Sequence, residues 1–151
     1  MDLSQCFNNY FAMHFKYEIQ GGDFTNAGQA SSQVKQVLKQ LNVDPKLIKR
    51  VVVCLYEAEV NVVAHAWSGV IDVEVNTERI QIVLADKGPG IPDISLAMQK
   101  GFSTASPQVR EMGFGAGMGL PNIESNADEF RINSKVNEGT TVEIMVYLSQ
   151  A

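Results

Sequence analysis

The stretch from Asp44 to Trp67 constrains the fold more than any other part of this sequence. Asp44 followed by Pro45 predicts a helix start, because the aspartate side chain can cap the first amides and proline lacks an N–H that would have no partner there. Most of the residues that follow are apolar, and they fall on nearly every side of the predicted helix. Such a helix must be buried against other elements of the domain.

Three polar residues form a row along this apolar helix. Glu57, Asn61 and His65 are spaced four residues apart, which places them on one face. An unpaired buried polar group costs about 1–3 kcal/mol, and an unpaired carboxylate more, so the row needs partners. For His65 we favour a hydrogen bond in the core or beside the site. Glu59, on the other side of the helix, is interpreted as a solvent-exposed or structural carboxylate.

The composition is that of an ordinary soluble domain, with 45% hydrophobic and 19% charged residues among 151. The formal net charge of −5 argues against direct binding to nucleic acid, for which a basic surface is expected. The longest uncharged apolar run covers only 51–56, so we predict neither a membrane span nor a secretory signal. Cys6 and Cys54 form no CxxC pair and are interpreted as free thiols in a reducing cytoplasm.

The hydrophobic periodicity of the chain alternates between strand and helix patterns. We expect residues 1–10 to form an N-terminal arm and residues 11–151 a single domain. The expected fold is an α/β (α+β) two-layer sandwich, in which a mixed, mostly antiparallel sheet carries helices on one face. Strands are predicted at 11–19, 71–75, 80–84, 130–136 and 141–148. Beside the central helix, helices are predicted at Thr25–Leu41, within 93–100 and from about Pro121 to Ala127, and a mobile loop at 101–112.

Two glycine-rich segments are candidates for ligand binding. Alternating glycines at 113–119 precede a predicted helix, where successive backbone N–H groups can point at phosphate oxygens. Asp86, Gly88 and Gly90 follow a predicted strand. Taken alone, each segment is more simply interpreted as a turn or a flexible loop. The Rossmann and Walker patterns do not fit, because the strand context and the Gly-Lys-Ser/Thr sequence they require are missing.

In combination, these segments closely resemble the motifs of the GHKL ATPases, the family with the Bergerat fold. Four motifs occur in the family's order and span most of the chain, from about residue 45 to 148. The sequence looks most like the small stand-alone anti-sigma factor/serine-protein kinases of this family. The motifs are Glu57-x-x-x-Asn61, Asp86-x-Gly88-x-Gly90, Gly117-x-Gly119 and Gly139-Thr140-Thr141.

The resemblance implies that residues 11–151 form a single ATP-binding domain that uses Mg²⁺. Asn61 would bind the metal through its side-chain oxygen, and Asp86 would accept a hydrogen bond from the adenine amino group. Thr141 would offer its hydroxyl to the base or to a bridging water. The backbone at Gly88, Gly90 and Ile91 would lie against the base. The phosphates would be held by Gly113, Gly115, Gly117, Gly119 and the amide of Leu120. The ATP lid would contain Ser103, Thr104 and Arg110.

Two of the implied assignments leave alternatives open. Arg110 could stabilise charge on the transferred phosphoryl group, but a solvated loop arginine is at least as good an interpretation. The glycine segment is also longer than is typical of the anti-sigma kinases, with Gly113-Phe114-Gly115-Ala116 inserted before Gly117. The pairing of lid residues is therefore left open.

Glu57 decides among the reaction types that the resemblance allows. A carboxylate one helical turn before Asn61 can orient or deprotonate a serine hydroxyl or water. The resemblance thus implies a serine/threonine-protein kinase that transfers the γ-phosphate of ATP to a serine of a small regulatory partner. A nucleotide-gated anti-sigma binding module without kinase activity and a slow ATPase are the alternatives. A detached histidine-kinase domain is disfavoured, because an imidazole acceptor needs no such base.

The implied partners are ATP and ADP, together with a sigma factor, an anti-anti-sigma protein or both. The resemblance is also compatible with a homodimer. The surfaces that would recognise a protein partner lie outside the four motifs, and the helix predicted at Thr25–Leu41 is one candidate.

Overall fold

The computed structural model describes residues 12–111 and 118–148. Its centre is a five-stranded sheet with the strand order β1-β2-β3-β5-β4. Each neighbouring pair is antiparallel, so a mixed sheet is not found among the described strands. The strands are β1 (Met13–Gln20), β2 (Ser68–Val75), β3 (Arg79–Lys87), β4 (Glu129–Lys135) and β5 (Gly139–Tyr147). The predicted N-terminal arm, residues 1–10, lies outside the described residues.

The helices confirm the predicted two-layer arrangement. The central helix packs against four of the five strands and is flanked by one helix on each side. Its start is as predicted, because the Asp44 side chain accepts a hydrogen bond from the Lys46 amide at 2.9 Å. The helices are α1 (Gln29–Gln40), α2 (Pro45–His65), α3 (Ile94–Ala97), α4 (Pro107–Glu111) and α5 (Gly119–Asn126). In the part of the chain described here, no helix is long and apolar enough to cross a bilayer.

The core lies between α2 and the sheet. Both layers contribute fully buried side chains to it, among them Val51, Leu55, Ala58, Val62, Ile71, Ile82 and Ile144. Cys54 is also buried, and its Sγ donates to the Ile123 carbonyl at 3.7 Å. Burial raises the pKa of Cys54 to about 12, so the side chain stays a thiol at neutral pH. Cys54 is therefore a free thiol, as predicted, whereas Cys6 lies outside the described residues.

Several predicted boundaries were wrong. The helix predicted at Thr25–Leu41 begins only at Gln29, because Gly28 has a left-handed φ of 98° that no helix continues through. A short 3₁₀ turn, Phe24–Asn26, precedes it. α2 stops at His65, and the next residue is already extended. The predicted loop at 101–112 contains α4, and β3 continues through Asp86 to Lys87.

Glu59 is the structural carboxylate of the two alternatives, since only 1% of it is exposed. Its Oε1 accepts from the Ala30 amide at 3.2 Å and its Oε2 from the Ser31 amide at 3.4 Å. These amides belong to the first turn of α1, where Gly28 has no side chain to cap them. Glu59 therefore supplies from α2 the cap that the sequence of α1 lacks, at the end of the helix dipole that favours negative charge.

Candidate active site

A cavity of about 640 Å³ lies between α2 and the sheet. One wall is α2, the floor includes Leu84 of β3 and Val142 of β5, and the rim is built by 89–93 and part of 102–106. Sites for small ligands typically measure about 300–1,000 Å³. The cavity is therefore large enough for a small organic ligand.

The polar row of α2 faces this cavity. Glu57, Asn61 and His65 all line its wall, as their four-residue spacing requires. Glu57 Oε1 accepts a hydrogen bond from Asn122 Nδ2 of α5 at 3.3 Å. The first residue of α5, Gly119, lies directly against the row: a Cβ built on it would be 3.1 Å from Asn61 Oδ1 and 3.2 Å from Glu57 Oε2. The start of α5 therefore meets the carboxylate and the amide at one end of the cavity.

A second carboxylate, Asp86, lines the cavity near the other end of α2. Asp86 Oδ1 accepts from the Thr140 amide at 3.0 Å. Gly88, two residues on, packs against the backbone of Ala66, which is nine residues after Glu57. Nine helical residues span about 13 Å, so the two carboxylates are separated along the cavity. Burial raises the pKa of Asp86, and the hydrogen bond from Thr140 partly opposes that shift.

The glycines of the Asp86 motif differ in position. Gly90 and Ile91 line the cavity, and their contact with a base stays a prediction. The turn is held in place by the Ile91 amide, which donates to Ser134 Oγ at 2.7 Å. Gly88 is not part of the lining: its amide donates to the Glu138 carbonyl at 3.2 Å. Its role in the structure is close packing, since any Cβ would lie 3.0 Å from the Ala66 Cα.

The threonine predicted to approach the base is on the wrong side of the sheet. Side chains alternate along β5, and Thr141 falls on the face opposite to Val142. Thr140 lies on the cavity side, is 8% exposed and lines the cavity. Its hydroxyl forms a 2.8 Å hydrogen bond with Ser134 Oγ. The hydroxyl on the cavity side is therefore that of Thr140.

The predicted lid residues are brought together only in part. Ser103 and Thr104 line the cavity. Arg110 is exposed on α4 and donates from Nη2 to the Ser103 carbonyl at 2.9 Å, so its guanidinium braces the rim and does not line the cavity. Gly119 and Leu120 line the cavity. Gly113, Gly115 and Gly117 lie outside the described residues.

His65 is an uncharged part of the wall at neutral pH. Burial lowers its pKa from an ordinary value of 6.5. The described residues provide no hydrogen bond to its imidazole, so the bonding that the sequence led us to expect is not found there. Within 12–111 and 118–148, no group of three or more His, Cys, Asp and Glu side chains could hold a metal ion.

The apolar rim of the cavity was not predicted from the sequence. Large hydrophobic side chains there are partly exposed to solvent: Tyr56 (39%), Leu96 (36%), Phe102 (37%) and Met118 (38%). Exposed apolar side chains grouped around a cavity typically mark a binding site. Tyr56 could have been inferred, because it precedes Glu57 on the same helix. The others lie in segments with no periodicity.

The site combines an apolar slot with a different polar group at each end. At one end the half-buried Asp86 carboxylate and the Thr140 hydroxyl can orient a flat, polar group such as a base. At the other end a carboxylate, an amide and a helix start can meet an anion and its counter-ion. These features suit an elongated ligand with a base at one end and phosphates at the other.

Comparison with known proteins identifies the family. A family model described as a histidine kinase-like ATPase domain matches residues 23–146. The serine/threonine-protein kinase RsbT of Bacillus subtilis is 33% identical over 118 residues, which cover 76% of this chain and 83% of that protein. The anti-sigma F factor of Anoxybacillus flavithermus is 33% identical over 117 residues, covering 72% of this chain and 77% of that protein.

A solved structure shares the fold. The crystal structure of the RsbU and RsbW domains of a Mycobacterium tuberculosis protein matches with a TM-score of 0.60 and 18% identity. The match covers 93% of this chain and 33% of that one. The GHKL resemblance predicted from the motifs is therefore confirmed at the level of sequence and of fold. The chain belongs to the histidine kinase-like ATPase family, and its nucleotide is ATP.

Proposed function

We propose that this protein is a cytoplasmic, ATP-dependent serine/threonine-protein kinase that phosphorylates a small regulatory partner. The observation that carries the proposal is the meeting of Glu57, Asn61 and Gly119 at one end of the cavity whose other end contains Asp86. This end of the cavity thus contains a base for a weak nucleophile, a metal ligand and a helix start that can bind phosphate. We also propose that residues 11–151 act as one ATP-binding domain.

Asp86 and Thr140 are assigned to the adenine. The Asp86 carboxylate would accept a hydrogen bond from the exocyclic amino group, which guanine does not present in that position. The Thr140 amide donates to Oδ1 of Asp86. This backbone contact fixes the carboxylate and so sets the direction of its second oxygen, Oδ2. Leu84 and Val142 provide an apolar floor for the ring, and Gly90 and Ile91 allow the backbone to lie alongside it.

The phosphates are assigned to the end of the cavity formed by Gly119 and Leu120. The start of α5 presents backbone N–H groups there, and the absence of a side chain at Gly119 keeps the space beside Asn61 open. Mg²⁺ suits this donor set, because it is commonly bound by one or two protein oxygens together with water and phosphate. Asn61 would hold the ion, which would supply charge neutralisation for the phosphates.

Glu57 is assigned as the general base. The hydroxyl oxygen of the acceptor serine would form a bond to the γ-phosphorus while the bond from that phosphorus to the β-γ bridging oxygen breaks. ADP would leave, and the serine proton would pass to the Glu57 carboxylate. Phosphoryl transfer depends mainly on positioning and electrostatic stabilisation, which the helix start and the metal would provide. Arg110 is a candidate for further charge stabilisation if the rim closes over the phosphates.

The names of the relatives support this reaction and suggest the partners. RsbT is a serine/threonine-protein kinase, and several other relatives are anti-sigma F factors. We infer that the partners are a sigma factor, an anti-anti-sigma protein or both. A homodimer is also compatible with the anti-sigma type.

The affinity for Mg-ATP is expected to fall in Asp86→Asn by about 10- to 150-fold, because a hydrogen bond to a charged group is worth about 1.5–3 kcal/mol. The free energy of unfolding should not fall. The pKa of Asp86 is raised, so the ionised carboxylate is disfavoured in the folded protein, and acidification through that raised pKa stabilises the fold. Asn removes the charge and keeps an oxygen for the Thr140 amide. Isothermal titration and urea unfolding measure the two effects.

Asp72→Asn is a suitable control, because Asp72 is an exposed carboxylate of β2 that does not line the cavity. It should bind Mg-ATP like the wild type. Equal affinities for ATP and GTP in the wild type, or an unchanged ATP affinity in Asp86→Asn, would contradict the adenine assignment.

Gly119→Ala is expected to fold normally and to bind Mg-ATP about 5- to 150-fold more weakly, the equivalent of about 1–3 kcal/mol of overpacking. Gly119 is the first residue of α5 and does not have a left-handed φ, so alanine can adopt the same backbone conformation. The new methyl group would lie 3.1 Å from Asn61 Oδ1, where the phosphates and metal are assigned. Titration with Mg-ATP tests this, and Glu124→Ala, at an exposed site of α5, is the control. Wild-type affinity for Mg-ATP in Gly119→Ala would show that the phosphates do not bind beside Gly119.

The chemistry is tested by incubating the protein with γ-labelled ATP and the proteins encoded beside it. Label on a serine of a partner is the expected result. Slow release of labelled phosphate with no labelled protein would indicate an ATPase instead. ATP binding without either product would indicate a nucleotide-gated binding module.

A further inference from the structure

Asn122 contacts the carboxylate that is assigned as the base. Its Nδ2 donates to Glu57 Oε1 at 3.3 Å, and within the described part of the chain this is the only hydrogen bond that the Glu57 side chain receives. The two residues are 65 positions apart in sequence and lie on different helices. Asn122 belongs to none of the four motifs, and no pattern in the sequence singles it out.

The asparagine is itself held in place. Its backbone amide donates to the Met118 carbonyl at 2.9 Å, and its backbone carbonyl accepts from Asn126 Nδ2 at 2.8 Å. The Asn126 carbonyl in turn accepts from Arg50 Nε at 2.9 Å. Arg50 lies on α2, so α5 is tied to α2 at its last residue by this arginine and near its middle by the contact between Asn122 and Glu57. These contacts fix the backbone position from which the Asn122 side chain reaches Glu57.

This contact leaves the two carboxylate oxygens in different surroundings. Oε1 is engaged by Asn122, whereas Oε2 faces Gly119 and the Asn61 side chain at the phosphate end of the cavity. The terminal torsion of a glutamate has broad, weakly defined minima, so an unheld carboxylate would rotate. A hydrogen bond to one oxygen removes that freedom and directs the other oxygen into the cavity.

We infer that Asn122 is a positioning residue that orients Glu57 so that Oε2 receives the proton of the acceptor. This inference rests on the proposed kinase function. It also connects the base to the glycine segment, because α5 carries Asn122 and begins at Gly119, where the phosphates are assigned. Asn122 acts through Glu57 and need not touch the nucleotide.

Asn122→Leu tests the inference, since leucine has a similar size and cannot donate. We expect the kcat for phosphotransfer to fall by about 10- to 100-fold, the range that small misplacements of reacting groups produce. The Kd for Mg-ATP should stay within about 3-fold of the wild type, because uniform binding is not involved. Glu124→Gln, at an exposed site of the same helix, is the control, and urea unfolding shows that each variant is folded.

The double variant Asn122→Leu with Glu57→Gln separates a positioning role from an independent one. If Asn122 acts through Glu57, the second substitution adds no further loss once the base is gone. A multiplicative loss, a wild-type kcat in Asn122→Leu, or a loss confined to Mg-ATP affinity would overturn the inference while the kinase function stands. A wild-type protein that binds Mg-ATP but transfers phosphate to neither protein nor water would overturn the proposed function, and the positioning role with it.

Discussion

Replacing Glu57 by Gln is expected to lower the rate of phosphotransfer by about 10²- to 10⁴-fold, the usual contribution of a general base. Glutamine has nearly the same shape and can keep an oxygen toward Asn122 Nδ2, but it cannot take up the serine proton. Mg-ATP binding should be retained, since Glu57 is assigned to the acceptor and not to the nucleotide. Single-turnover transfer from labelled ATP, together with titration of Mg-ATP, measures both quantities.

The stability of Glu57→Gln is an internal control for that experiment. The side chain is only half-buried and faces the cavity, so its replacement removes no core contact. The midpoint of urea unfolding should therefore match that of the wild type. Transfer at the wild-type rate in a folded Glu57→Gln protein would remove the general-base role and leave positioning and charge stabilisation as the sources of catalysis.

Glu59→Ala is expected to lower the free energy of unfolding by about 2–5 kcal/mol. The substitution leaves the Ala30 and Ser31 amides without an acceptor in a buried place, at about 1–3 kcal/mol for each donor. It also opens a cavity between α2 and α1. Tyr17 of β1 is close to the same carboxylate: its pKa is raised by burial and then by the charge of Glu59. Removing the carboxylate should therefore also bring the pKa of Tyr17 closer to its ordinary value.

Glu59→Gln is the matched variant, because it keeps the size of the side chain but presents an NH₂ group to one of the two amides. Its loss of stability should be smaller than that of Glu59→Ala, and Mg-ATP affinity should be unaffected in both when measured well below the unfolding midpoint. A Glu59→Ala protein as stable as the wild type would show that α1 does not depend on this cap. The two carboxylates of Glu57-Ala58-Glu59 thus have separable effects, one on chemistry and one on stability.

The parts of the fold that were predictable have strong local causes. The Asp44-Pro45 start of α2 and the four-residue spacing of its polar row depend on capping and helix geometry alone, and both are found. The second hairpin was found for the same reason, since Val142 and its alternate neighbours face the core. Thr140 could have been predicted from that alternation, because it shares the parity of Val142. Thr141 was predicted from the family motif alone, without using the alternation of side chains along β5.

Long-range contacts account for most of what was missed. Gly28 looked like one more position in a helical pattern, and the break there depends on a chain path that Asp23 and Glu59 stabilise from outside α1. Gly88 was assigned to the ligand, whereas its backbone approaches Ala66, the residue that directly follows α2. The contact between Asn122 and Glu57 joins two helices far apart in the chain, which no periodicity reports.

The central claim is that the cavity binds ATP in one orientation, with the base at Asp86 and the γ-phosphate at Glu57. A crystal structure with Mg²⁺ and a non-hydrolysable ATP analogue tests this most directly. We expect the adenine amino group to donate to Asp86 and Asn61 to bind the metal. The γ-phosphate should lie beside Gly119, within reach of a serine hydroxyl hydrogen-bonded to Glu57. An adenine placed at the Glu57 end, or phosphates bound away from Gly119 and Asn61, would contradict it.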